Sequence, residues 1–149
     1  MRGTIRGSDS LRRKLEALDA NLRGRMLEQA VVSGALLVQN DAKQRAPYVT
    51  GTLRRSIHIG GHQELAGDVV TSRPLPSPEI SADAVRVYVG TNLEYARRIE
   101  FGFDGPDRLG REYHQAPQPY LRPAIDVNGA AVRTEIAAAL ADLVRLAVR

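Results

Sequence analysis

His58 and His62, four residues apart, have the spacing that puts two imidazoles on one face of a helix, where they would share a metal ion. Here they fall on and just past a strand pattern, in which four residues span about 13 Å, too far for one ion. Glu94 and Glu100 could be imagined as a general acid and base, but six residues along a helix place them on different faces. Asp104 and Asp107 resemble a fragment of a calcium loop without the regular oxygen ligands or the closing glutamate. Gly3, Gly7, Gly60, Gly61, Gly102 and Gly105 do not form a phosphate-cradling pattern ahead of a helix that carries Lys and Ser or Thr. A small hydrolase using His58 or His114 with an acid is conceivable, yet no Ser/His/Asp arrangement gathers locally. With no cysteine there is neither thiolate nor disulfide chemistry. The expectation is a non-catalytic chain with no cofactor and no metal.

The elements that would position such groups are legible. One stretch organises the chain: Ala46-Pro47-Tyr48-Val49-Thr50-Gly51-Thr52-Leu53-Arg54-Arg55-Ser56-Ile57. Pro47 ends the helical pattern before it, because its ring excludes Ala46 from the α region. Gly51 suits a tight reversal. From Thr52 the residues alternate, which predicts a half-exposed strand through Leu53, Ile57 and Ile59, with Arg55 on the wrong parity.

Upstream, Leu11, Leu15, Leu18, Leu22 and Met26 recur at helical steps, predicting a helix or helix pair from about Ser10 to Ala46. Gly24 is the favoured site for a break or close crossing, ahead of Ser33-Gly34. Downstream, a weak strand is read at 68–71. Pro74, Pro76 and Pro78 then mark an extended loop, since alternate prolines cannot sit in a central strand. Val85, Val87 and Val89 alternate on one face and predict a strand. Thr91 and Glu94 have capping-box spacing and open a short helix from Leu93 to about Phe101, closed by Gly102. Residues 104–110 read as turn, with one further strand at 111–114. A second long helix begins at Tyr120-Leu121-Arg122-Pro123-Ala124 and runs on through Ile125, Val132, Ile136, Leu140 and Leu143. The fold class is α+β: a small antiparallel sheet of three to five strands, packed by a long N-terminal helix or helix pair and a long C-terminal helix, with one short helix between.

At 149 residues this is one domain, 1–149, able to bury about two thirds of its unfolded surface. Aromatics make up only 5%, so Ala, Leu, Val and Ile must fill the core. No apolar run approaches the roughly 20 residues of a membrane span, and the charged N-terminus has no apolar stretch behind it to read as a signal. The formal charge of +4 resides in residues 1–25, where seven basic side chains meet three acids. A basic arm over about residues 1–10 suggests a nucleic-acid-binding module as an alternative function, against the blander reading of a solvated helix face. Such a module would show strongly salt-dependent binding, and the few aromatics argue against single-strand recognition.

Four stretches, in order, carry a resemblance: Ala46-Pro47; Thr50-Gly51-Thr52-Leu53-Arg54-Arg55-Ser56-Ile57; Tyr95-Ala96 with Glu100 and Gly102; and Tyr120-Leu121-Arg122-Pro123-Ala124. Together they resemble the gp-ten-like tail-component family of long-tailed bacteriophages, small tail-completion or neck proteins, over roughly residues 25–148. Departures are Tyr120, where Phe is more usual, the proline-rich 73–78 stretch and the basic arm. The resemblance implies a structural virion protein, a tail terminator or head–tail joining subunit assembled in the bacterial host cytoplasm. It implies a ring of identical subunits, hexameric by the usual tail symmetry, contacting the tail-tube protein and a neighbouring neck or connector protein. DNA would pass through its lumen without sequence recognition, and no membrane is involved. The matched residues, Pro47, Thr50, Gly51, Leu53, Ser56, Tyr95, Ala96, Glu100, Phe101, Gly102, Tyr120, Leu121, Pro123 and Ala124, are then the expected family motif and assembly interface. Tyr95, Glu100 and Phe101 would meet a neighbouring subunit.

Overall fold

The computed structural model describes residues 20–61, 75–81 and 84–147. The arm at 1–10, the apolar steps at Leu11, Leu15 and Leu18, and the weak strand at 68–71 lie outside the described residues. Helix α1, Ala20–Arg45, runs unbroken through Gly24 and Gly34. It ends where Pro47 requires, and Lys43 and Arg45 lie in its last turn, where positive charge suits the negative end of the helix dipole. Its buried face is built from small or slender side chains: Met26, Ala30, Ala35, Val38 and Ala42.

The last helix of the chain, Leu121–Ala147, lies antiparallel against that face. Asn128 near its start donates to Asp41 near the end of α1, at 2.7 Å. The close crossing falls at Gly34, not at the expected Gly24: a Cβ on Gly34 would stand 2.8 Å from Ile136 Cγ1 and 3.0 Å from Val132 Cγ1. Glycine is needed there because two stiff β-branched side chains occupy the space.

Residues Thr52–Ser56 form a short helix, α2, rather than the expected strand. Gly51, at φ 78°, reverses the chain, and the amide of Arg55 donates back to its carbonyl at 3.0 Å. The inward residues Leu53, Ser56 and Ile57 are three and four apart, which is helical spacing, so Arg55 is no longer out of register. Strand β1, His58–Ile59, follows directly.

Among the described residues the fold is α+β as expected, but the sheet of three to five strands is instead three separate two-stranded antiparallel ladders. β1 pairs with a strand at Val89–Gly90; Glu79–Ile80 (β2) pairs with Val85–Arg86 (β3). The alternating valine run is therefore not one strand. It changes partner between β3 and Val89–Gly90 (β4), although Val87 and Val89 both pack on Val32, Ala35 and Ile59. Pro76 and Pro78 cross against Gly60 and Gly61, a Cβ on Gly61 lying 2.5 Å from Pro78 Cδ, while Arg73 and Pro74 lie outside the described residues.

Helix α3, Ala96–Phe101, begins later than the Thr91 capping box predicts, and Tyr95 at its N-cap makes no side-chain cap bond. The Thr91 hydroxyl accepts instead from the Leu93 amide at 3.2 Å and pairs with Ser56 Oγ at 2.7 Å. Part of the stretch expected to be turn is strand: Phe103–Pro106 (β5) pairs with Glu112–Gln115 (β6), leaving Asp107–Gly110 as the turn. Pro106 is tolerated because it stands at the end of an edge ladder. Leu121–Ala147 is α4. The main core joins Val38, Ala42 and Ala46 of the first helix and its exit to Leu53, Ile57, Ala96, Tyr120 and Ala124.

Candidate assembly surface

A long helix that starts without help leaves its first amides unpaired. Helix α4 has no Ser, Thr, Asp or Asn just before it and no acid in its first turn. The partner comes from α3. One Glu100 oxygen accepts from the amides of Tyr120 at 2.8 Å and Leu121 at 3.0 Å, and the other accepts from Arg122 at 2.9 Å. The fourth position, Pro123, has no amide hydrogen to satisfy. All four opening positions are thereby accounted for, and the carboxylate's charge faces the positive end of the helix dipole.

The connection between the two helices is held equally closely. Gln118 donates its amide to the Ile99 carbonyl at 2.8 Å. Gly102, at φ 75°, lets the returning chain pass: a Cβ there would sit 2.8 Å from the Gln115 carbonyl oxygen. Beneath this clamp Tyr120 is 2% exposed. Burial first, then the charges of Glu100 and Tyr95, push its phenol up to about 12.

At the other corner Arg54 donates from Nε to the Ala46 carbonyl at 2.9 Å, and its guanidinium lies 5.1 Å over the Tyr48 ring. Ser56, fully buried, donates to the Leu53 carbonyl at 2.8 Å, and its hydroxyl, 2.7 Å from that of Thr91, ties α2 to the Thr91 segment. Gln39 of α1 donates to the Ile57 carbonyl at 3.1 Å.

The motif residues thus sort by place. Leu53, Ser56, Ala96, Glu100, Tyr120 and Ala124 are buried, and Gly51 makes the reversal. Pro47, Gly102, Leu121 and Pro123 are partly covered, and Thr50 is exposed with its hydroxyl 2.8 Å from that of Thr52. Glu100, expected to face a neighbour, points inward instead, because its carboxylate is the cap of α4. Tyr95 and Phe101 do face outward, 42% and 67% exposed. Phe101 stands between two hollows. One, of about 440 Å³, has an apolar floor that includes Val89, Leu93, Leu121 and Ile125. The other, of about 530 Å³, lies beside Arg98 and Phe103. Sequence reasoning missed Gln39, Arg54 and the capping role of Glu100. A long helix opening with no cap residue of its own is the signal that points to a cap from elsewhere.

The groups with chemical spacing do not converge. His58 is buried, with Nδ1 2.8 Å from the Ser56 carbonyl oxygen, and His62 lies outside the described residues. Glu94 is exposed and Glu100 is buried, so they face different surroundings. Asp104 pairs with His114 at 2.6 Å, and Asp107 serves its own turn. Among the described residues no group of three or more His, Cys, Asp or Glu side chains could hold a metal ion.

Residues 9–102, nearly two thirds of the chain, match the family model described as "Bacteriophage HK97-gp10, putative tail-component". The chain belongs to this family of bacteriophage tail components. The match begins earlier than the resemblance at residue 25 and stops at Gly102, so the Tyr120–Ala124 motif lies beyond it. Comparison with curated proteins and with solved structures found no match. Among the described residues no helix is long and apolar enough to cross a membrane.

Proposed function

We propose that this tail component is a non-catalytic ring subunit of the neck, which ends growth of the tail tube or joins the finished tail to the head while DNA passes through the lumen. The observation that carries the reading is the use of the motif. Glu100, Gly102, Tyr120 and Pro123 set one rigid angle between α3 and α4, and that angle leaves an aromatic ridge at Tyr95 and Phe101 turned to solvent. Fixed shape with an exposed apolar ridge suits a subunit that meets copies of itself and a tube; a head-to-tail contact that closes makes the ring. Six copies follow the usual tail symmetry, and the tube protein and an adjoining neck protein are the neighbours. The subunit is made in the host cytoplasm and ends in the virion.

Labelled antibody against the chain, applied to purified particles, tests this: signal at the head–tail joint is expected, and signal along the whole tube or none on the particle contradicts it. The nucleic-acid-binding alternative draws on a basic excess within residues 1–25, mostly outside the described residues, so no described geometry favours it.

A further inference from the structure

From Phe101 to Pro119 no residue is buried, yet the β5–β6 hairpin within that stretch is closely organised. A free two-stranded hairpin is marginal in water. Here the Asp107 carboxylate accepts from the amides of Leu109 at 2.8 Å and Arg111 at 2.9 Å, and from the Arg111 side chain at 2.7 Å. Those bonds, the Arg111 amide first, hold the Asp107 carboxyl below its ordinary range. At the root, the Arg98 guanidinium lies 4.3 Å over the Phe103 ring. The tip offers Leu109, 77% exposed, beside Arg108. Such local bonding keeps a projecting element in one shape without a core behind it, as a docking arm requires.

We propose that the hairpin is an arm whose tip, Arg108 and Leu109, seats in the α3–α4 groove of a second copy of this chain. Its own groove does not hold it: the root adjoins Gly102 at the end of α3, four strand residues carry the tip roughly 13 Å from that root, and Leu109 remains exposed. The chemistry of the two surfaces is complementary. The groove's lining is apolar at Val89, Leu93, Leu121 and Ile125 and charged at Arg97, Arg122 and Asp126, while the arm brings the exposed apolar Leu109 with exposed Arg108 and Glu112 close by in sequence. Arm and groove are different surfaces, so the contact is heterologous and propagates from copy to copy until it closes. This deepens the proposed ring role, resting on it for the expectation that copies meet.

The absence of cysteine makes disulfide trapping clean. Leu109 and Ile125 are 77% and 51% exposed, so Leu109→Cys and Ile125→Cys leave the fold intact, which an unchanged denaturation midpoint checks. Under mild oxidation of the full chain, the double variant is expected to give a ladder of dimers, trimers and larger species. An equimolar mixture of the two single variants is expected to give mainly the mixed dimer and nothing larger. A double variant that yields no more than the dimers each single variant forms alone overturns the arm-in-groove contact, whichever other partner the groove serves. The neck role fails separately: a ladder with normal particles made in the absence of the chain removes that role and keeps the contact. Defective particles with no ladder do the reverse.

Discussion

Glu100 and Tyr120 are 20 residues apart in sequence, and the carboxylate of one accepts the amide of the other at 2.8 Å, 8% and 2% exposed respectively. This joint converts a short helix and a long one into a single rigid piece, and it lies under the surface proposed to meet other subunits. Replacing Glu100 by Ala leaves three buried or half-buried amides without a partner. Since a hydrogen bond to a charged group contributes about 1.5 to 3 kcal/mol, and the three share one carboxylate, a loss of about 3 kcal/mol in unfolding free energy is expected by urea titration. Glu100→Gln should lose less, because one carbonyl oxygen still accepts; equal stability in all three proteins would contradict the joint.

Two glycines with positive φ separate backbone strain from crowding. Gly102 has the Gln115 carbonyl oxygen 2.8 Å from where a Cβ would stand, whereas Gly110 at φ 77° has nothing within 4 Å. Gly110→Ala should cost about 1 kcal/mol, the left-handed penalty alone. Gly102→Ala should cost about 3 kcal/mol, combining strain with displacement of the returning chain. The same titration measures both, and a smaller loss at Gly102 than at Gly110 would be inconsistent with the close passage.

Helix propensity and packing oppose each other at the two interior glycines of α1. Ala is favoured over Gly within a helix by about 1 kcal/mol. At Gly24 a new Cβ would meet one atom, the Cγ2 methyl of the exposed Ile80 at 3.1 Å, on a two-residue strand that needs to move only a few tenths of an ångström, so Gly24→Ala should stabilise by about 0.5 kcal/mol. At Gly34 the stiff Ile136 and Val132 cannot yield readily, and Gly34→Ala should destabilise by about 1 kcal/mol or more despite its better propensity. Thermal midpoints moving in opposite directions are the expected result.

Much of this arrangement was legible in the sequence, and the omissions have physical causes. Helix ends at Pro47 and near Tyr120 follow from local sterics, which a chain reports wherever it is read. The strand expected from Thr52 failed because five residues sample too little of either period, and Gly51 admits a helical turn as readily as an extended one. The single sheet failed because pairing is a long-range choice: Val85 and Val89 sit on one alternating run yet bond to different strands. Glu100 reads as an outward side chain in the sequence because a cap supplied from 20 residues away leaves no local pattern, only an unexplained want of a cap at Leu121.

Alkaline conditions should reveal the buried phenol. Burial pushes the Tyr120 phenol up from an ordinary value of 10.0 to about 12, so the fold favours its neutral form. The associated stability is present in full below about pH 10 and is lost as pH rises through about 12. Tyr120→Phe should remove this share of the alkaline loss. Across pH 8 to 11.5 the urea midpoint of the unaltered protein should fall relative to that of the variant, and parallel curves would show that the Tyr120 ring is not held as described.

The proposed neck role requires that particles stay incomplete without this chain. Electron microscopy of lysates from the tailed phage or prophage that encodes it, with the gene inactivated, puts that requirement to the test. Filled heads separate from tails, or tails of uncontrolled length, are predicted, with rescue by the unaltered chain supplied in trans. Normal, infectious particles in its absence would contradict that role.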